Sequence, residues 1–512
     1  MAQSTLSPLL LALPSIPPLP TLQAALASHA AVALAVAAFT YLVFYLHTLP
    51  GRKPGSSSSA PPELPQPVGK IVRSFFQTQF DFFRDGFSTT SSSIFRFKLL
   101  RNEVTAIAGE EYRRTFFAEK GLNLYQGFQV LIGTIPSGLN PHELKGIYKR
   151  LGTLQGPDTL QSLIPQLLSD CGRKMDAWGK EGSLDPCSAI HDVTFQMIIR
   201  AVSSFDVADD ASLVSRLKRH YDVIDSSYPT SAPILGLPSL AWFRRLWSSK
   251  CVYDVFKGAI DARIKCGTRR EDALQGLLDA GEGTRCIAGF MMGLPIAGAR
   301  STGTIGTWLI MFLSSEPSWS SAVRDEIQTL LSTYASSPSS SLSKEALIDA
   351  LSAIPLAAWE SQTPHLDLCI RETLRRAQPH TAVRKNIGPA FNLGPYTIAE
   401  GDYVVYPFAD TLLNPAYYPD PLRWDPSRST HNEEIFLGWG GGKHMCKGQR
   451  LASLTMKLVA AYAFSRFDMA MIDELGQRME NPPEPDWNDF LTCRPKERCS
   501  IRFSERPCVS VA

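Results

Sequence analysis

The stretch FLGWGGGKHMCKGQRLA, residues 436–452, constrains this chain more than any other part of it. Four glycines crowd the eight residues before Cys446, and Gly448 stands two after it. Glycine lets backbone approach a ligand closely and adopt positive φ. Such a loop can hold one thiolate beneath a flat cofactor and aim backbone N–H groups at the sulfur. An amphipathic pattern running from about Gly448 to Phe467 predicts a helix whose positive end would stabilise that thiolate. The plainer alternative is a glycine-rich surface loop with an incidental cysteine. A zinc site from His431, His444 and Cys446 would need a spacing these residues do not have.

The loop resembles that of the cytochromes P450. The family pattern is Phe, two residues, Gly, three residues, Cys, one residue, Gly, with Ala four beyond. Gly442, Cys446, Gly448 and Ala452 meet it, with Trp439 where Phe is usual and Lys447 where Pro or an apolar residue is commoner. The resemblance implies a mostly α fold with minor β sheets that binds haem b (iron protoporphyrin IX) through an axial Cys446 thiolate. Electron density pushed from such a thiolate favours O–O cleavage. The family's Glu-x-x-Arg is matched by Glu372 and Arg375 within LDLCIRETLRRA, and RWDPSR supplies Arg428 as the third member of a buried structural network. Positions three apart share a helical face. By the same resemblance Arg384 and His444 match positions that bind haem propionates, with Lys149 and Tyr125 as further contacts. Lys443, Lys447 and Arg450 gather around the cysteine, where a docking face for an acidic electron donor is expected. The resemblance makes that donor an NADPH-dependent cytochrome P450 reductase.

The run IAGFMMGLPIAGARSTGTIGTWLIMFL, residues 287–313, is similar to the long central helix that crosses the haem in this family. Pro295 and its neighbouring glycines predict a local kink. Most members place an acid followed by Thr there, a pair that relays protons during oxygen activation. Here Arg300 stands at the acid position and Ser301 at the Thr position, with Thr302 next. An arginine does not release a proton near neutral pH. Two readings follow. One is monooxygenation, by hydroxylation, epoxidation or desaturation, with Ser301, Thr302 and water relaying protons. The other is a reductase-independent isomerase or dehydratase acting on a peroxide or epoxide. A haem carrier without catalysis is a third, and would not need a full central helix with an apparent substrate region.

Around this core the chain predicts a short luminal segment (1–24), a membrane anchor (25–46), a Pro- and Ser-rich linker (47–69) and a catalytic domain (70–512). Residues 25–46, ALASHAAVALAVAAFTYLVFYL, have the length of a bilayer-spanning helix. Arg52 and Lys53 follow it, while residues 1–30 hold no Lys or Arg, so the positive-inside rule puts the body of the chain in the cytoplasm. A cleaved signal peptide would need a basic start and a shorter apolar stretch. The expected location is the endoplasmic reticulum membrane, crossed once.

Residues 94–100 and 104–109 alternate as strands do, and the surrounding 70–135 region, rich in aromatic runs, reads as part of a small sheet. A helical period dominates from about 140 to 380, and strands and loops return from 381 to 426. A net charge of +2 gives no reason to expect nucleic acid. The ten cysteines lack framework spacing, which fits free thiols in a reducing compartment. The Pro-, Gly- and apolar-rich stretches 115–140, 225–245 and 290–301 suit a lipophilic small-molecule substrate such as a terpenoid or sterol. The closest family wording is that of microsomal fungal members, which suggests specialised metabolism.

Overall fold

The computed structural model of the chain describes residues 60–99, 102–127, 150–227, 240–335, 343–428, 435–489 and 492–506, together with position 36. The expected anchor at 25–46 lies outside the described residues apart from Val36, as do Lys149 and His431. Among the described residues no helix is long and apolar enough to cross a membrane.

Among the described residues helices dominate, with three small sheets. The longer helices are α1 (Val68–Gln77), α2 (Gln79–Thr90), α3 (Glu110–Ala118), α4 (Pro157–Asp176), α5 (Pro186–Val202), α6 (Ala211–Ser226), α7 (Leu240–Cys266), α8 (Ala273–Asp279), α9 (Thr284–Ser315), α10 (Pro317–Tyr334), α11 (Lys344–Ser352), α12 (Pro364–Arg376) and α13 (Gln449–Arg466). The strands are β1 (Ile94–Leu99), β2 (Asn102–Ile107), β3 (Leu122–Asn123), β4 (Glu181–Leu184), β5 (Thr381–Asn386), β6 (Phe391–Leu393), β7 (Tyr396–Ile398), β8 (Tyr403–Pro407), β9 (Phe467–Ile472) and β10 (Ser500–Glu505).

The largest sheet runs in the order β1-β2-β8-β5-β3. Only β2 and β8 are parallel in it; Phe97 faces Val104 across the β1–β2 hairpin, and Arg384 faces Val404 across β5–β8. The two strands expected over 94–109 are therefore present. The aromatic stretch before them is not sheet but the helices α1 and α2. Phe75 and Phe82, seven residues apart and both buried, meet edge to face at 5.9 Å, and Phe82 reaches Phe97 of β1 at 5.0 Å. Phe75 lies in α1 and Phe82 in α2, beyond the break at Thr78, so the turn between the two helices brings their rings together as a lid on the sheet. Residues 62–64, at the end of the expected linker, run beside β1: Arg96 N–H donates to Pro62 O (2.8 Å) and Leu64 N–H to Arg96 O (2.9 Å).

The main core is helical. α9 spans 32 residues, continuous through Pro295, and is buried along most of its length. It packs on α5, α7, α12 and α13, while α4 joins α5 to α13. Close backbone contact is made possible at Gly303, where an added Cβ would fall 2.6 Å from His191 Cδ2 of α5. Trp308 of α9 donates its indole N–H to Cys493 O (2.7 Å), and Phe312 stacks on Trp424 at 5.1 Å. These contacts tie the central helix to the segment that leads into the cysteine loop, at Trp424, and to the C-terminal segment, at Cys493.

Candidate active site

Backbone geometry shapes the cysteine loop. Cys446 N–H donates to Trp439 O and Gly440 N–H to Leu437 O, both at 2.8 Å. Gly440 and Gly442 take φ of +77° and +59°, which side chains disfavour. A Cβ on Gly442 would lie 2.5 Å from the Phe117 carbonyl oxygen, so the loop rests directly on the end of α3. At Gly448 the only neighbour of an added Cβ would be Cys446 Sγ, at 4.0 Å. Cys446 itself is open on one side and enclosed on the other. Burial raises its thiol above the usual range, and the Gly448 N–H pulls weakly the other way.

Arg384, on β5, is 2% exposed, yet pairs with no carboxylate among the described residues. Its Nη1 donates to Phe116 O (2.8 Å), and its guanidinium lies over the rings of Phe116 (4.4 Å) and Phe117 (5.0 Å). Its Nε has no partner among the described residues. Burial pulls the guanidinium down to about 10, so it stays charged. An uncompensated buried cation is costly, which marks a place built for an anion. His444 points into the same region. Its Nε2 lies 3.4 Å from Leu122 O and its ring meets Tyr125 edge-on at 6.4 Å. Burial, reinforced by the Arg384 charge, pulls the imidazole down to about 4.

Glu372, Arg375 and Arg428 form the expected network. Arg375 makes a two-bond fork with Glu372, Nη2–Oε1 at 2.7 Å and Nε–Oε2 at 2.8 Å, and Arg428 Nε reaches the same Oε1 at 3.1 Å. The arginines also bind the meander before the loop: Arg375 donates to Leu412 O and Pro421 O, and both donate to Arg423 O. Arg376 was not singled out from the sequence but is equally buried, and it donates to Leu422 O and Glu484.

On α9, Ala297 and Ser301 are exposed, one turn apart, on a helix otherwise largely buried. Thr302 points the other way and is 4% exposed. Arg300 is paired with Asp225 of α6, with Nε 3.1 Å from Oδ2. Burial pulls its guanidinium down to about 10, still far above neutrality.

On the surface beside the loop, Arg450 is held by Glu360 and by Gln155 O (2.7 Å), and Lys443 donates to Lys120 O (2.6 Å). Arg150 is taken by Glu282 at 2.6 Å. A cavity of about 920 Å³ opens there, lined by Arg113, Arg114, Phe117, Arg371, Trp439 and Met445 among others. Its three arginines come from α3 and α12, and sequence spacing gave no sign that they would meet. Neither Cys446 nor Arg384 lines it. Among the described residues no three His, Cys, Asp or Glu side chains gather as a metal site.

The cytochrome P450 family profile matches residues 268–497, which contain α9, the Glu372 network and the whole cysteine loop. The chain is similar to the cytochrome P450 monooxygenase AacuE of Aspergillus aculeatus, 26% identical over 475 residues, covering 87% of this chain and 92% of that one. It is 27% identical over 414 residues to the cytochrome P450 monooxygenase dmxR5 of Cryptosporiopsis sp., covering 77% of this chain and 80% of the relative. The chain belongs to the cytochrome P450 family. The fold agrees: the retinoic acid-bound cyanobacterial CYP120A1 superposes with a TM-score of 0.70 at 21% identity, covering 88% of this chain and all of that one.

As a cytochrome P450 monooxygenase the protein is an oxidoreductase, and the family implies a haem-thiolate cofactor. The residues present fit that group. Cys446, held in a loop of close-approaching backbone, is a side chain that a haem iron could take as its thiolate ligand. Arg384, buried without a counter-ion and with Nε unsatisfied, offers what an acidic edge of the cofactor requires.

Proposed function

We propose that this cytochrome P450 inserts one oxygen atom from O2 into a lipophilic small molecule, with Cys446 as the thiolate that would hold haem b. The observation that carries the reading is the combination of a Cys446 loop closed on Trp439 with the unpaired, buried Arg384. When bound, the haem supplies the oxidising chemistry. The chain's own residues do the rest. Arg384 and His444 hold the acidic edge, with Tyr125 against the His444 ring, and Trp439 and Ala452 flank the cysteine. Glu372, Arg375 and Arg428 keep the meander and loop in place. Ser301, exposed on α9, is the group able to hold or pass a proton on that face; Thr302 is turned away and Arg300 is committed to Asp225.

Electrons are proposed to come from NADPH through a cytochrome P450 reductase docking at the basic depression of Arg113, Arg114 and Arg371. Residues 25–46 are proposed to anchor the chain once in the endoplasmic reticulum membrane, with the catalytic domain in the cytoplasm. The apolar substrate regions and the similarity to fungal monooxygenases support a role in specialised metabolism.

The test compares metabolites of cells carrying the intact gene with those carrying Cys446→Ala. A compound accumulating one oxygen lighter than a lost product, or two hydrogens heavier, establishes the reading. Isomeric compounds, or a pair differing by water, would instead favour reductase-independent rearrangement, as would turnover of the purified protein without NADPH.

A further inference from the structure

α6 spans its neighbour α9 in an unusual way. Its backbone leans on α7 and comes close to α9 at almost no point. Two long side chains make polar connections to α9. Tyr221, 4% exposed, donates its hydroxyl to Met292 O at 3.0 Å. One turn later, Asp225 takes the guanidinium of Arg300, with both side chains about one-fifth exposed. No other carboxylate of α6 is free to replace Asp225, because Asp222 is held by Lys218 at 3.1 Å. Arg300 stands immediately before Ser301, whose side chain is exposed on a helix otherwise largely buried. α6 thus buries Val214, Leu217 and Ile224 in the common core and adds two polar links to α9 on its Ser301 side.

We propose that the Asp225–Arg300 ion pair is a latch that fixes α6 over the Ser301 face and sets how readily lipophilic molecules reach it. Arg300 is on this reading a positioning residue and takes no part in proton transfer. The inference rests on the proposed assignment of the Ser301 face to the substrate side of the haem. Breaking either half of the pair leaves a partly desolvated charge without its partner and frees the end of α6. Exchanging the two charges rebuilds the link with reversed polarity.

The experiment uses the haem-loaded full chain in four forms: wild type, Asp225→Asn, Arg300→Gln and the exchanged pair Asp225→Arg/Arg300→Asp. Hydrogen exchange of residues 211–227 reads the latch, and the association rate of phenylimidazole, followed by haem absorbance, reads access. Each single variant is expected to speed exchange in the second half of α6 by about tenfold and phenylimidazole binding by roughly fivefold, and the exchanged pair to return both to about wild-type values. Tyr221→Phe, which keeps the ring and loses the hydroxyl link, is expected to speed the same exchange and guards against a single variant that fails to fold. Exchange unchanged in the single variants, or an exchanged pair as loose as they are, overturns the latch. Faster exchange with unaltered phenylimidazole binding overturns control of access. Phenylimidazole leaving the wild-type haem spectrum unchanged overturns the assignment of the Ser301 face, a failure the exchange data separate from that of the ion pair.

Discussion

Glu372 binds Arg375 and Arg428 with one buried carboxylate, and its Oε1 also accepts the Asp425 N–H at 3.0 Å. Helix α12 is thereby fastened to the chain that turns into the cysteine loop. Because the arginines also donate to backbone carbonyls, loss of either would strand several acceptors at once.

Replacing Glu372 by Ala should leave two buried guanidinium groups without their counter-charge, at a cost of about 3–5 kcal/mol. Thermal unfolding and haem content per chain are the measurements. Glu372→Asp keeps the charge and should recover part of the loss. An unfolding temperature untouched by Glu372→Ala would show that the network is ornamental.

Arg384→Leu separates holding the cofactor from holding the fold. Arg384 is buried, lacks a carboxylate and has an unpartnered Nε. In the haem-free protein its removal should therefore be neutral, or stabilising by roughly 1 kcal/mol. In the loaded protein the same change should speed haem transfer to a scavenging globin by about tenfold or more. If haem is lost no faster, Arg384 does not bind its acidic edge.

Much of this was readable before the fold was known. The glycine positions of the loop and the Glu372–Arg375 spacing are local, and local geometry carries over into the folded chain. The α1–α2 region failed because clustered phenylalanines suit a strand as well as a helix. What decides between them is the face of β1 that Phe82 covers at Phe97, a partner that no local spacing names. Asp225 was invisible for another reason. It lies 75 positions from Arg300, and no periodicity links residues on different helices. The arginines of the surface depression, from α3 and α12, are the same case.

His191 gives the protein an acid sensitivity independent of the cofactor. It lies between α5 and α9 against Gly303, and burial pulls its imidazole down to about 4, with Lys218 and Arg300 adding to and Asp222 and Asp192 opposing the shift. The unfolded chain takes up a proton near pH 6.5 and the folded one only near 4. Stability from this group is whole above the unfolded value and falls as pH drops from about 6.5 toward 4. Between pH 7 and pH 5 the loss should be about 2 kcal/mol. Chemical unfolding of the haem-free protein at the two values measures it, and His191→Gln should shrink the difference. An equal pH dependence in that variant would mean the site titrates normally.

Ser301 and Thr302 are neighbours with opposite surroundings, and their variants should diverge. Ser301 is exposed on the α9 face it shares with Ala297, whereas Thr302 is 4% exposed. A proton relay needs a hydroxyl that water and substrate can reach. Ser301→Ala should lower the ratio of product formed to NADPH consumed by roughly tenfold, since positioned proton transfer contributes that much or more. Thr302→Val keeps shape and volume, so its ratio should stay within about twofold of wild type, with a stability change near 1 kcal/mol. Oxygen uptake, peroxide release and product, measured together, give the ratio. A larger fall for Thr302→Val than for Ser301→Ala would transfer the relay to the buried hydroxyl and require α9 to turn during the reaction.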